Sequence, residues 1–324
     1  MKSCWIVTKD HKAVLEWRDI PVPQPKDGEI VMKVRASAMN RGELVVGGAV
    51  HGGPEKLGGN EAAGEISAVG AGVTQFKIGD KVFGRVRGGF AEYATAPAHQ
   101  ILPLPACLTF EQAASIPVSF ITAYEMIYPP YGKLKAGEWL LITGASAGAG
   151  AACIQIAKML GAKTIGTSGS AAKLEKLKAI GLDVAINTRK PDFSANVKEV
   201  TGGKGVDLAV NLVGGTVFAE CLKSLARKGR VAVVGYVDGA LTAEIDLSAV
   251  HTNRFEIFGI SNAKISAEER KAAMAGFERD VMPAIADGRI VPLVDRVFEF
   301  ADMQAAKDCM ESSAMVGKIV VRVA

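Results

Sequence analysis

Gly144, Gly148 and Gly150 fall inside nineteen consecutive uncharged residues, Trp139 to Ala157 (WLLITGASAGAGAACIQIA). Glycines at this spacing suit one kind of chemistry. Gly144 can take the positive φ of a turn that leaves a strand. Gly148 and Gly150, with Ala147 and Ala149 beside them, let backbone N–H groups and a helix start close on a pyrophosphate, where the helix dipole favours negative charge. Two other readings fit the same letters. One is a membrane span carrying a G-x-x-x-G pairing face; the other is a buried helix whose small residues permit close packing. Gly, Ser, Thr and Gln supply much of the stretch, which counts against a span.

The residues that follow say which ligand such a cradle would take. A dinucleotide with a free ribose calls for an Asp or Glu about 20 residues beyond the glycines, to hold the 2′-hydroxyl. That distance from Gly150 reaches Ser170, inside TSGSAAK, and the nearest acid is Glu175, more than a helical turn further on. Ser168, Gly169, Ser170 and Lys173 offer hydroxyls and a cation instead, which suit a 2′-phosphate. In the plainer reading Ser170 only caps a helix and Lys173 is only solvated. NADP(H) is the expected cofactor.

Metal chemistry finds little support. Catalytic zinc needs three protein ligands of the Cys, His or carboxylate kind. His51, His99 and His251 are isolated in the sequence, and no C-x-x-C occurs among Cys4, Cys107, Cys153, Cys221 and Cys309. Five scattered cysteines read as reduced, mostly buried thiols of a reducing cytosol.

The elements that must position these residues alternate from Glu138 to Ile260. EWLLIT, KTIGTS, DVAINT, VDLAVNLV, RVAVVGY and RFEIFGI read as strands. Between them lie helices such as SAAKLEKLKAIG, with Ser170 at its cap, and GTVFAECLKSLARKG, closed by Gly229. Strand–helix alternation at this spacing predicts an α/β fold with a doubly wound, six-stranded parallel sheet, and the glycine run follows its first strand. A phosphate cradle is therefore the favoured reading.

Before Glu138, EIVMKVRASAMN and KVFGRVRGGFAEYAT alternate like the strands of an irregular β domain. Thr109 and Gln112 form a capping box that opens TFEQAASI, which Pro117 ends. The strand GKIVVRV near the C-terminus is expected to return to this first domain. The net charge of +4 is too small and dispersed to call for nucleic acid or an anionic membrane. No secretory signal is expected, and the expected location is cytoplasmic.

With these residues in view, the chain resembles the medium-chain dehydrogenase/reductases, and within them the zinc-independent, zeta-crystallin-like quinone oxidoreductases. The resemblance runs along nearly the whole chain. It rests on NRGEL (40–44), GGNEAAGEISAVGAGVTQFKIGDKVFG (58–84), GGFAEYA (88–94), TAYEMI (122–127), GASAGAG (144–150), GSAAK (169–173), NLVGG (211–215) and GKIVV (317–321). Ala147 and Ala149 replace a glycine and a valine of the usual phosphate loop; both are small.

The resemblance implies a GroES-like catalytic domain from residues 1–118 and 261–324, a Rossmann NADP-binding domain from 119–260, an active site in the cleft, and a homodimer. Zinc-dependent relatives carry a Cys near Asn40, a Gly-His-Glu where this chain has Gly59-Asn60-Glu61, and four close cysteines that are absent from residues 79–106. Without a Lewis acid, an already polarised acceptor such as a quinone or α,β-unsaturated carbonyl is the easier target. By resemblance, Asn40 and Thr122 lie near the nicotinamide and position it and the substrate. Val213, Gly235 and Tyr236 border the cofactor, and Tyr124 lines the pocket or belongs to the core. Thr188 stands where the family often has a Tyr beside the 2′-phosphate; Glu43 replaces a common Asp, and Val45 and Val46 replace aromatics.

The leading expectation is an NADPH-dependent quinone oxidoreductase or enone reductase. An enoyl-thioester reductase and a cofactor-binding protein with little catalysis are the alternatives.

Overall fold

The computed structural model describes residues 1–44, 55–262 and 264–323, and the chain divides into two compact units. One comprises Met1–Ile121 with Ala263–Ala324; the other is Thr122–Asn262. His51, Val45 and Val46 lie outside the described residues.

The second unit carries a six-stranded sheet, all parallel. Its spatial order is Val184–Asn187, Lys163–Ser168, Trp139–Thr143, Val206–Asn211, Leu225–Val233, Glu256–Gly259. Numbered along the chain this is 3-2-1-4-5-6, the Rossmann order, in which ligands lie beyond the carboxyl ends of the strands where the winding reverses. The reversal falls between Trp139–Thr143 and Val206–Asn211, and their register sets Thr143 beside Asn211 and Asn211 beside Val233. Leu141, Ile165, Phe193, Val197, Ala209 and Val231 belong to the core cluster of this unit. Each large apolar side chain buried there is worth about 1.5–3 kcal/mol.

The stretch Trp139–Ala157 is thus a strand, a turn and the start of the helix Gly148–Met159. Among the described residues no helix is long and apolar enough to cross a membrane. One expected boundary moves. The helix that should have closed at Gly229 stops at Ser224, and Leu225 already pairs with Val206 in the sheet. The ladder skips between Val206 and Leu208, and Lys228 and Gly229 sit in the irregularity, Lys228 with φ 63°. Sheet pairing overrides helix propensity there.

The first unit holds a sheet in the order Val294–Glu299, Lys318–Arg322, Glu29–Met39, Glu61–Val69, Lys81–Arg85, Ile101–Pro103, with Tyr93–Pro97 also paired to Glu29–Met39. The C-terminal strand does return here. Ile319 lies against Met39 and Ala62 against Ser37, so Lys318 and Glu61 flank the end of the central strand, where Asn40 follows. Thr109 and Gln112 make the capping box of Phe110–Ala114, and Pro117 opens the next helix, Pro117–Ile127.

Candidate functional site

The glycine-rich turn leaves the strand Trp139–Thr143 through Gly144, whose φ of 63° is a left-handed conformation suited to glycine. Ala147 occupies the cap position of Gly148–Met159 and supplies no side-chain cap, so the first N–H groups of the helix receive nothing from it. Gly150 has a packing reason of its own: a Cβ there would fall 2.5 Å from the Ala145 carbonyl oxygen. The small residues therefore hold turn and helix together as well as leaving the helix end open.

Ser168, Gly169, Ser170 and Thr188 gather at the carboxyl ends of the neighbouring strands, where Ser168 pairs with Asn187 and the Thr188 N–H donates to the Ser168 carbonyl at 3.1 Å. Ser170 stands at the cap of Ala171–Lys178, yet its hydroxyl does not cap the helix. Neither the Ser168 nor the Ser170 hydroxyl has a hydrogen-bond partner among the described residues. Lys173 follows within the first turn, half-buried. No carboxylate occurs from Gly166 to Lys173.

Thr188 behaves differently. Its hydroxyl accepts from the Lys190 N–H at 3.0 Å and donates to Asp192 at 2.8 Å, so its one proton is spent on its own turn. The residue that sequence reasoning missed is Arg189. Its side chain lies directly over Gly169: a Cβ on Gly169 would stand 2.2 Å from both its Cγ and its Nε. Arg189 follows the third strand, Val184–Asn187, by two residues, a signal for an added cation, but only the folded chain places it over the glycine.

At the winding reversal, Asn211 and Thr143 shape the next loop. The buried Asn211 side chain accepts from the N–H groups of Val213 and Gly214 and donates to the Gly214 carbonyl, while the Thr143 hydroxyl donates to it at 3.1 Å. Val213 is thereby pinned beside Gly144, where a Cβ would meet its Cγ2 at 3.2 Å. Gly235 packs on the same loop, close to the Leu212 carbonyl, and Tyr236 beyond it is 51% exposed. Asp238 fastens the two loops: its N–H donates to the Val213 carbonyl and its carboxylate accepts from Thr216.

Gly144, Val213 and Gly235 thus meet at the Asn211 loop, with Ala147–Gly150 following Gly144 in the chain. Ser168 and Thr188 meet at the neighbouring strand ends, with Gly169, Ser170 and Lys173 next along the chain. Thr122 is buried and accepts from Asn262 at 2.7 Å. Tyr124 is buried and stacks on Tyr128 with ring centres 4.5 Å apart.

Asn40 belongs to the first unit and sits in a network of charged groups. Its amide nitrogen donates to Glu43 and to Glu61, each at 2.8 Å, and its oxygen accepts from the Lys318 ammonium at 2.7 Å. Lys318 also donates to Glu61 at 2.7 Å and to the Met39 carbonyl at 3.1 Å. Glu61 accepts from the Val118 N–H, and Glu43 from the Gly59 N–H. Gly59, at φ 89°, has no room for a side chain, since a Cβ would lie 2.3 Å from the Phe90 nitrogen. Burial pushes the Glu43 carboxyl up to about 7; the Glu61 charge adds to this, while the Asn40 hydrogen bond, Lys318 and the Gly59 N–H oppose it.

Among the described residues no group of three His, Cys, Asp or Glu side chains is arranged to hold a metal ion. His99 and His251 are exposed and lie in separate elements of different units.

The chain is similar to known proteins along both of its units. Residues 26–106 match the family described as the alcohol dehydrogenase GroES-like domain, and residues 148–278 the one described as zinc-binding dehydrogenase. The quinone oxidoreductase of Homo sapiens is 37% identical over 194 residues, 58% of this chain; the chain spans 59% of that relative's length. The polyketide synthase GfsB of Streptomyces halstedii is 36% identical over 176 residues, 54% of this chain and 3% of that protein. Among solved structures, the Escherichia coli quinone oxidoreductase complexed with NADPH aligns with a TM-score of 0.86 at 28% identity, covering 100% of both chains. With its GroES-like sheet and its Rossmann strand order, the chain belongs to the medium-chain dehydrogenase/reductase family.

Proposed function

We propose that this chain is an NADPH-dependent, zinc-independent oxidoreductase that transfers a hydride to a quinone or an α,β-unsaturated carbonyl compound. The observation that carries the cofactor choice is the pair of serine hydroxyls without protein partners, set beside Lys173 and Arg189 with no carboxylate among them. A 2′-phosphate accepts from hydroxyls and guanidinium alike, whereas a free ribose needs an acceptor that residues 166–173 do not supply. The NADPH bound in the Escherichia coli relative supports the same choice.

In this reading residues 119–260 hold the dinucleotide. The Ala147–Gly150 backbone takes the pyrophosphate, Ser168 to Lys173 and Arg189 take the 2′-phosphate, and Val213, Gly235 and Tyr236 border the nicotinamide half. Residues 1–118 and 261–324 form the catalytic part. The bound cofactor supplies a hydride; the protein orients it, excludes water and places polar groups near the acceptor. Asn40 and Thr122 are the positioning residues for nicotinamide and substrate.

The residues at Asn40 do not fit a zinc ion. An amide stands in place of a thiolate, Asn60 in place of a histidine, and the Lys318 ammonium already occupies Glu61 at 2.7 Å. Hydride acceptors that arrive polarised need no Lewis acid to lower an alcohol pKa. We assign the protein to the cytoplasm and to a homodimer joined along the edge strand Glu256–Gly259, where Ile257 is 42% exposed and Tyr131, 39% exposed, stacks on Phe258. A unit edge with unpaired backbone and apolar side chains is a ready pairing surface. Ile257→Asp should convert the dimer to a monomer in sedimentation; a monomeric wild type would refute the interface.

A second reading, reduction of an enoyl thioester on a carrier, is favoured by the match to a polyketide synthase. Assaying quinones, enones and enoyl thioesters with NADPH and with NADH separates the two. Turnover of none of them would leave a cofactor-binding protein.

A further inference from the structure

The Asn40 side chain has one orientation that satisfies its surroundings. Its oxygen faces an ammonium and its nitrogen faces two carboxylates. Flipping the amide would set N–H groups against Lys318 and an oxygen against Glu43 and Glu61. Both amide protons are therefore committed, and only a lone pair on Oδ1 is left for a ligand. The three donors of Lys318 are likewise used up, on Met39, Asn40 and Glu61. Glu61 is fully buried, Glu43 2% exposed and Lys318 5% exposed, so none of these contacts is traded freely with water.

This balance matters for a reductase. When a hydride reaches an enone or quinone, negative charge develops on the acceptor oxygen, and a donor is needed there. With both protons tied to carboxylates, Asn40 can only accept.

We propose that Lys318, Glu61 and Glu43 are positioning residues that act on the substrate through Asn40: the ion pair fixes the amide's orientation, and the Glu43 carboxyl determines whether one of its N–H groups is released toward the acceptor oxygen. This rests on the reductase reading. The groups that face Glu43 are Glu61 on Glu61–Val69, Lys318 on Lys318–Arg322, the Asn40 amide and the Gly59 N–H. Glu61 lies on the Asn40 side, so a proton taken up by Glu43 settles on Oε1, the oxygen that accepts from Asn40. The freed N–H then donates to the substrate oxygen as charge gathers on it. Burial holds that uptake near pH 7, within the working range of an enzyme.

The test uses the full-length protein with NADPH and either a 1,4-naphthoquinone or 2-cyclohexenone. For wild type, kcat/KM of the acceptor should fall about tenfold per pH unit above the Glu43 titration, and Glu43→Gln should remove that limb from about pH 6 to about pH 9. Lys318→Met should lower kcat at least about tenfold while the NADPH dissociation constant changes less than about threefold. Should that variant not fold, Lys318→Met with Glu61→Gln removes both charges of the ion pair and keeps the same expectation. Independently of activity, the side-chain amide signals of Asn40, assigned by their loss in Asn40→Ala, should titrate in wild type and stay fixed in Glu43→Gln. Asn40 signals that ignore pH in the wild type, or a high-pH limb that survives in Glu43→Gln, would overturn the proposal. Absence of any turnover would instead refute the reductase reading, and the amide titration would still decide the inference.

Discussion

Replacing Glu43 by Gln should change the stability of the first unit in a pH-dependent way whose size follows from burial. In the folded protein the Glu43 carboxyl keeps its proton up to about 7; in the unfolded chain it loses it near its ordinary value of 4.5. A carboxyl that binds its proton more tightly when folded stabilises the fold at low pH, and that stability is lost as the pH climbs from the unfolded to the folded value. At 1.36 kcal/mol per pH unit, the loss between about pH 5 and about pH 8 is about 2–3 kcal/mol. Glutamine has no proton to lose. Its oxygen can still accept from the Gly59 N–H, but Asn40 forfeits one acceptor, a cost of about 1–3 kcal/mol that is the same at every pH. The informative quantity is therefore the change in the mutant-minus-wild-type difference, which should move by about 2–3 kcal/mol in favour of Gln from about pH 5 to about pH 8. Urea unfolding read by Trp5 and Trp17 fluorescence, with Trp139→Phe in both proteins, reports the first unit alone. Parallel pH profiles for the wild type and the Glu43→Gln variant would show that Glu43 carries no such burden.

Lys173→Ala and Arg189→Ala should each raise the Michaelis constant for NADPH about ten- to hundredfold more than that for NADH, the worth of one charge-assisted contact; equal effects on both cofactors would sink the 2′-phosphate assignment. Gly148→Val should leave a folded protein by circular dichroism that no longer binds NADPH in a calorimetric titration, because a β-branched side chain fills the cradle. Prolonged chelator treatment should leave activity intact, and elemental analysis should find less than about a tenth of a zinc per chain; stoichiometric zinc that restores lost activity would contradict this.

Much of the nucleotide-binding unit is legible in the sequence because its signals are local. Six β-branched runs, a glycine turn after the first and the absence of acid near Ser170 all lie within a few residues of what they describe. The end of the helix at Ser224 is not, since it depends on Leu225 finding Val206 across the sheet. Thr188 illustrates a subtler limit: its position suggests a phosphate ligand, and only the turn with Lys190 and Asp192 reveals that its proton is already given away. Arg189 over Gly169 likewise needs the two strand ends side by side. The Asn40 network is the least readable. Glu61 and Lys318 are 257 positions apart, and no spacing rule connects them.

That separation has a consequence for how the molecule comes into being. On the ribosome, Glu43 and Glu61 emerge early and Lys318 late, with the whole of Thr122–Asn262 made in between. The contiguous unit can close its sheet as it is made, while the other lacks the strands Val294–Glu299 and Lys318–Arg322 and the cation that pairs with Glu61. Domains fold as units, and an incomplete one exposes unpaired edges and apolar surface meanwhile. The strand Glu29–Met39 waits with its Ala36–Met39 edge open until Lys318–Arg322 is delivered to cover it. Until then this edge stays open to mispairing, and the sheet of the first unit is complete only once both of its late strands have been made.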